Sequence, residues 1–143
     1  MLQNGKSYEE DNRTGVNHEG DKANTPLKRL TATSIIGDKI ENPKGEKLGS
    51  IEDLMIDLTS GEIEYAVVEF GGVLGVGEKL FAVPFSKLQL KEGEEKFLLD
   101  QDLDFLKKSP GFDKSHWPDT NGHDEYLENV SSYYQVATPG FEI

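Results

Sequence analysis

The chain has 143 residues, which leaves room for one ordinary domain and excludes most multidomain designs. Its 27 acidic and 15 basic side chains give a formal net charge of −12. This charge disfavours nucleic acid and anionic membrane surfaces as partners, because binding either requires Lys and Arg to replace counterions. Cysteine is absent, so disulfides, thiolate metal sites and cysteine nucleophiles are excluded.

Residues 1–29 are predicted to be a disordered N-terminal arm. They carry five basic and five acidic side chains, one aromatic residue (Tyr8) and few aliphatic residues. Such a segment buries too little apolar surface to offset the free-energy cost of ordering its backbone. It also lacks the apolar stretch of a secretory signal, and no run in the chain approaches the ~18 apolar residues of a membrane span. We therefore expect a cytoplasmic protein with no membrane insertion.

Residues 30–112 are predicted to form the folded domain. Short β-type runs alternate there with glycine turns, a pattern typical of small sandwiches and barrels. The first strand is expected at 38–41, before a turn that contains Gly45. We predict a mainly β fold, a small closed antiparallel β-barrel of SH3-like size, because closure removes the exposed edges of a small sheet.

The second run, 48–57, fits one face of a helix as well as a strand. We interpret it as a strand, because Gly49 lies inside it and a hairpin turn with Gly61 follows. The apolar residues change parity along this run, which requires a β-bulge near Glu52-Asp53.

The third strand is expected at 63–70, where both parities are apolar. This pattern predicts a central strand that is covered on both faces. A glycine-rich loop at 71–77 then leads to a strand at 80–83, which Pro84 ends because it has no amide to donate. A short helical turn is expected at 85–88.

Two further strands, at 89–90 and 97–99, are predicted to close the barrel. A short helix that Asp100 caps is expected to run through Lys108, because its first turn is acidic and its last turn is basic. Leu103 and Leu106 would dock this helix onto the barrel.

Residues 113–143 are predicted to be an acidic, largely irregular C-terminal tail. They carry six acidic side chains and one basic side chain, Lys114. Trp117 is expected to pack back on the domain, because a lone aromatic side chain gains by leaving water.

The glycine and hydrophobic pattern over residues 30–106 resembles the PRC-barrel family, which is named for the cytoplasmic domain of the photosynthetic reaction-centre H subunit. The residues that carry the resemblance are Ile36-Gly37-Asp38, Pro43 to Leu54, Thr59 to Val68 and Lys79 to Phe85, and the tail pattern Pro110 to Pro118 is similar to that of small stand-alone bacterial members. The resemblance implies a β-barrel that serves as a binding or assembly module and not as an enzyme.

The glycine-rich loop is the candidate interaction surface, because its apolar side chains would be exposed at the tip unless a partner covers them. A phosphate-binding interpretation is weaker, since a P-loop places Gly-Lys-Ser/Thr before a helix, whereas Lys79 follows Glu78 here and precedes a strand. The proposed interaction residues are Gly72, Val73, Leu74, Gly75 and Val76, and the proposed structural turn residues are Gly45, Gly49, Gly61 and Pro84.

Part of the tail matches a calcium-binding loop at Asp119, Asn121, Gly122 and Glu128, but Trp117 stands where the first carboxylate is needed. We interpret this segment as a polar turn.

The three histidines, His18, His116 and His123, lie outside the predicted domain. A zinc site needs converging ligands on a supported frame, so no metal site is predicted. Ser115 and His116 are neighbours in sequence, which does not make them a hydrolytic pair.

These observations predict a non-enzymatic binding module without catalytic residues or cofactor, acting through a protein partner or as a homodimer. One alternative is a soluble H-subunit-like protein linked to photosynthetic electron transport. Another is a small metal-dependent enzyme or hydrolase, which would need a deep pocket with converging acids.

Overall fold

One β-sheet organises the part of the chain that the computed structural model describes, which is residues 29–70, 79–91, 94–119 and 121–137. Its seven strands are β1 (Lys39–Glu41), β2 (Lys47–Ile56), β3 (Ile63–Glu69), β4 (Lys79–Pro84), β5 (Gln89–Lys91), β6 (Lys96–Leu98) and β7 (Gly111–Asp113). The described helices are α1 (Ala32–Ile35), α2 (Leu103–Lys107) and α3 (His123–Tyr134), with a 3₁₀ helix at Phe85–Lys87. Within these ranges no helix is both long and apolar enough to cross a bilayer.

Strands β2 and β3 form a hairpin with the bulge that the sequence predicts. Ile51 pairs with Val68 and Asp53 pairs with Val67, so Glu52 is the extra residue. Ile51 and Leu54 both contact the core although they are three residues apart, which a bulge permits because it reverses the alternation of side chains. The strand interpretation of this run is therefore confirmed.

The turn between these strands is organised by Asp57. Its carboxylate accepts hydrogen bonds from the backbone N–H of Thr59 (3.0 Å) and the hydroxyl of Ser60 (2.8 Å). Gly61 has a φ of +79°, a left-handed conformation that glycine adopts without strain. Its N–H donates to the carbonyl of Asp57 at 2.7 Å, which closes the turn.

A second glycine is required by close packing of the sheet. Gly49 of β2 lies against the end of β3, where an added Cβ would overlap the carbonyl oxygen of Glu69 and lie 2.8 Å from Cδ1 of Phe70. The hairpin can form with this register because position 49 has no side chain.

The mainly β prediction is confirmed, but the predicted closure into an antiparallel barrel is wrong for the described residues. The sheet has the order β5-β6-β1-β2-β3-β4-β7, so β5 and β7 are its two ends. Closure would have brought β5 to β4, but Gly111–Asp113 pairs with β4 instead. The sheet is also mixed, because β1 and β6 are parallel.

Strand β3 provides the centre of the core. Tyr65, Ala66, Val67 and Val68 are all fully buried, which confirms the predicted covering of both faces. The middle position of the sheet belongs to β2, however, and β3 lies one place further along. Two strands, β4 and β7, follow β3 on one side, whereas four strands lie on its other side, because β5 and β6 extend the sheet beyond β1.

The cap and the first residue of helix α2 lie two residues later than the sequence predicts. Asp102, not Asp100, caps it, and its carboxylate accepts from the N–H of Phe105 at 2.8 Å. Leu106 is buried, and Leu103 packs against the core, as predicted.

The tail departs most clearly from the prediction. Residues 123–134, which were expected to be irregular, form the 12-residue helix α3. Its buried residues are Leu127, Val130, Ser131 and Tyr134, at the spacing of one helical face. Trp117 packs its ring 5.2 Å from that of Phe112 in β7 and stays 40% exposed.

Candidate functional site: a pocket between the β2–β3 hairpin and helix α3

A pocket of about 530 Å³ lies where the β2–β3 hairpin meets the beginning of α3. We call it the hairpin–helix pocket. It is lined by Met55, Ile56, Asp57, Leu58, Glu64, Pro118, Asp119, His123 and Asp124. Two segments more than fifty residues apart in sequence therefore contribute to one concave surface.

The hairpin side of the pocket is apolar and open to solvent. Leu58 is 94% exposed and Ile56 is 45% exposed, and Met55 and Pro118 complete the apolar lining. Leu58 lies in the turn that follows β2. The hydrogen bonds that Asp57 accepts from Thr59 and Ser60 fix the backbone of this turn on both sides of Leu58. Exposed aliphatic side chains that converge on a concavity are typical of binding surfaces.

The base of the pocket is held by an interaction between β3 and α3. Nε2 of His123 donates to Oε1 of Glu64 at 2.8 Å, and both side chains are more than four-fifths buried. The imidazole ring stacks on Tyr65, with centroids 5.9 Å apart and planes at 25°. Tyr126 meets the same tyrosine edge-on at 6.0 Å. These contacts fix the first turn of α3 on the sheet.

The rim of the pocket is acidic. Hydrogen bonds from the hydroxyl of Ser60 and the N–H of Thr59 hold the pKa of Asp57 below its usual range, so this carboxylate is charged at neutral pH. Asp119 accepts from the N–H groups of Asn121 (3.0 Å) and Gly122 (3.1 Å).

Asp124 lies in the first turn of α3. Among the residues that the structure describes, the pocket lining holds four carboxylates and no Lys or Arg. An anion is therefore repelled and a cation is attracted at this rim.

The polar side chains among the described lining residues are one histidine and four carboxylates. The ring nitrogen Nε2 of His123 is engaged with Glu64, and none of the described lining residues is a Ser, Thr or Lys. Across the described ranges, His, Asp and Glu nowhere form a group of three that could hold a metal ion.

The residues singled out from sequence fall in different places. The interaction loop Gly72–Val76 and His18 lie outside the described residues. The turn at Gly45 has a φ of +83°, and Pro84 ends β4 opposite Tyr65. None of these described residues contributes to the pocket.

Of the tail residues considered as candidate site residues, Asp119 and His123 line the pocket, and Ser115 and His116 do not. The Oγ of Ser115 is 3.0 Å from Nδ1 of His116, and both residues are exposed, away from the pocket lining. Asp119 uses its carboxylate in a turn before α3. His123 enters the pocket because it is the first residue of a helix that sequence reasoning missed.

The sequence did contain a signal for this helix. Leu127, Val130, Ser131 and Tyr134 recur with helical spacing. Recognising that pattern would have placed His123 and Asp124 at a helix start, although not against β3.

Comparison with known proteins assigns most of the sheet to one family. The model of the PRC-barrel domain matches residues 28–106. No curated protein matches the chain closely enough to count as a relative. The match includes the β2–β3 hairpin and Glu64 but ends before Pro118, so the pocket joins the family's domain to residues beyond it. Because the matched residues span more than half of the chain, the protein belongs to the PRC-barrel domain family.

Proposed function

We propose that this chain is a non-enzymatic binding module that acts through protein–protein contacts, and that the hairpin–helix pocket holds the partner. The observation that carries the proposal is the exposure of Leu58, 94%, beside a concave surface. Removing this side chain and Ile56 from water favours association, since burying a leucine or isoleucine contributes roughly 1.5–3 kcal/mol.

The shape of the pocket supports a protein partner over a small substrate. Ile56 and Leu58 are exposed at the end of the hairpin, where a second protein surface can reach them. A substrate pocket would enclose its ligand and aim a few polar groups at it. Here the mostly buried side chains of His123 and Glu64 pair with each other.

A photo-cross-linking experiment tests this proposal. The photoreactive amino acid p-benzoylphenylalanine replaces Leu58 in the full chain, expressed in cells of the source organism, and a second chain carries it at Thr33. Thr33 is an exposed residue of α1, and the chain just after α1 contacts Ile51 of β2, far along the strand from the turn.

We expect a discrete protein adduct from position 58 that position 33 does not give. An adduct between two copies of the chain would identify the protein-binding contact as a homodimer. No adduct at position 58, or the same adducts at both positions, would contradict the proposed function.

A further inference from the structure

We propose that the hairpin–helix pocket receives a Lys or Arg side chain from an apolar segment of a partner protein. This inference rests on the proposed function and specifies the chemistry of the partner. It combines two features of the pocket, the exposed aliphatic surface of Ile56 and Leu58 and the acidic rim beside it.

The aliphatic surface suits the stem of a basic side chain. Lys and Arg bury their methylene groups along apolar surface and keep the charged end in a polar environment. Leu58 and Ile56 offer that surface on one side of the pocket, and Asp119 and Asp124 lie on the side formed by the tail and α3. An apolar neighbour in the partner segment would cover the rest of the Leu58 side chain.

The carboxylates are held in place before a partner arrives. Asp57 is oriented by Thr59 and Ser60, and Asp119 is oriented by two backbone N–H groups. A carboxylate has about four lone-pair sites, so these bonds leave acceptor capacity for an ammonium or guanidinium group. Because the groups are already ordered, binding costs less conformational entropy.

Charge complementarity distinguishes this occupant from a second copy of the chain. Each copy carries a formal net charge of −12, and the described lining residues include four carboxylates with no Lys or Arg to balance them. Two copies meeting at this surface would bring like charges together, which opposes association. A partner segment that is both basic and apolar is attracted by these carboxylates and can also cover the exposed aliphatic side chains.

Fluorescence anisotropy with labelled peptides tests the inference on the full chain. The probe is a short peptide that alternates Lys and Leu. A Glu–Leu peptide of the same length reverses the charge, and a Lys–Ser peptide removes the apolar side chains. Leu58→Ser and Asp124→Asn change the pocket, and both residues are exposed, so the variants should fold. Glu125→Gln is the matched control, because Glu125 belongs to the same helical turn but does not line the pocket.

We expect the Lys–Leu peptide to bind at least about tenfold more tightly than the Glu–Leu peptide or the Lys–Ser peptide. Leu58→Ser should weaken its binding by about tenfold, and Asp124→Asn by about two- to fivefold. Glu125→Gln should change it by less than about twofold.

Equal binding of the Lys–Ser peptide, with no effect of the pocket variants, would mean that only the overall acidity of the chain attracts it and would overturn the inference. Tighter binding of the Glu–Leu peptide would overturn it as well. If the Lys–Leu peptide fails while position 58 still cross-links to a partner, the basic occupant is wrong and the proposed binding function stands.

Discussion

Nε2 of His123 lies 2.8 Å from Oε1 of Glu64, which is 59 residues earlier in the chain. Glu64 belongs to the part of the sheet that matches the PRC-barrel domain, and His123 lies beyond the match. The contact therefore attaches the tail to the domain at the base of the pocket. We expect the pocket to depend on it.

Replacing Glu64 tests this attachment. Glu64→Ala should lower the free energy of unfolding by about 1–2 kcal/mol, because it leaves a mostly buried imidazole without its acceptor. Equilibrium urea unfolding followed by circular dichroism measures the change. Glu62→Ala is the control, because Glu62 is exposed in the same hairpin, and it should change stability by less than about 0.5 kcal/mol. Equal effects of the two substitutions would show that the contact contributes nothing.

Helix α3 is expected to be part of the cooperative fold. Leu127 is 2% exposed, so Leu127→Ala should cost about 2–4 kcal/mol through lost burial and the cavity that remains. Glu128→Ala, on the exposed side of the same helix, should cost less than about 0.5 kcal/mol. Differential scanning calorimetry of both variants would reveal a lower Tm for the first alone. Matching Tm values would argue that α3 does not fold with the sheet.

Substitution by alanine should reduce stability much more at Gly49 of β2 than at Gly45 of the turn that precedes it. Gly49→Ala places a Cβ against the backbone of Glu69, which cannot move without breaking the β2–β3 pairing, and we expect a loss of about 3 kcal/mol or more. The Cβ that Gly45→Ala adds has no atom within 4 Å. The loss of stability should therefore come only from placing alanine at a φ of +83°, which costs about 1 kcal/mol. Chemical denaturation of the pair tests the difference. Similar losses would mean that the close approach at Gly49 is relieved by a small shift.

Asp38 should make stability depend on pH in mildly acidic solution. Burial, and secondly the carboxylate of Glu95, raises the pKa of Asp38 from 3.8 to about 6. Between these values the unfolded chain loses the proton and the folded chain keeps it, so this group's contribution to stability falls as pH rises and is constant above that range. Asp38→Asn should therefore gain stability relative to the parent chain between about pH 4 and about pH 7.

Asp57 should have the opposite effect on the pH dependence of stability, because its pKa is lowered in the folded chain. Hydrogen bonds from Ser60 and Thr59 lower its pKa, so its contribution is present above the unfolded pKa and is lost as pH falls through the folded one. Asp57→Asn should lose more stability near neutral pH than in acid. Urea unfolding should show Asp38→Asn gaining stability relative to the parent chain between about pH 4 and about pH 7, and Asp57→Asn losing stability relative to it as pH rises through the acidic range below about pH 4. A difference from the parent that stays constant with pH in either window would refute the assignment for that residue.

Local features of the sheet could be predicted from the sequence because local residues determine them. The change of parity between Ile51 and Leu54 requires a bulge, and the structure places it at Glu52. The run of apolar residues in β3 likewise predicts burial on both faces, which Tyr65 to Val68 show.

Closure and the pocket could not be predicted in this way because they depend on distant pairings. Nothing local to Gly111–Asp113 indicates that it pairs with β4 and so occupies the edge that a closed barrel would need. The pocket depends on α3 packing over Tyr65, which joins segments with no shared sequence pattern. The periodicity of α3 was visible in the sequence, but its place on the sheet was not.

Chemical-shift mapping locates the bound peptide on the folded chain. The measurement is a titration of the ¹⁵N-labelled full chain with the Lys–Leu peptide, followed by the backbone amide chemical shifts. We predict that the largest saturable shifts occur at Ile56, Leu58, Asp119 and Asp124, with small shifts at Glu41 and Lys91, which form an ion pair at the far end of the sheet. Shifts spread evenly over the acidic surface, or concentrated away from the hairpin and the start of α3, would show that the peptide does not bind in the hairpin–helix pocket.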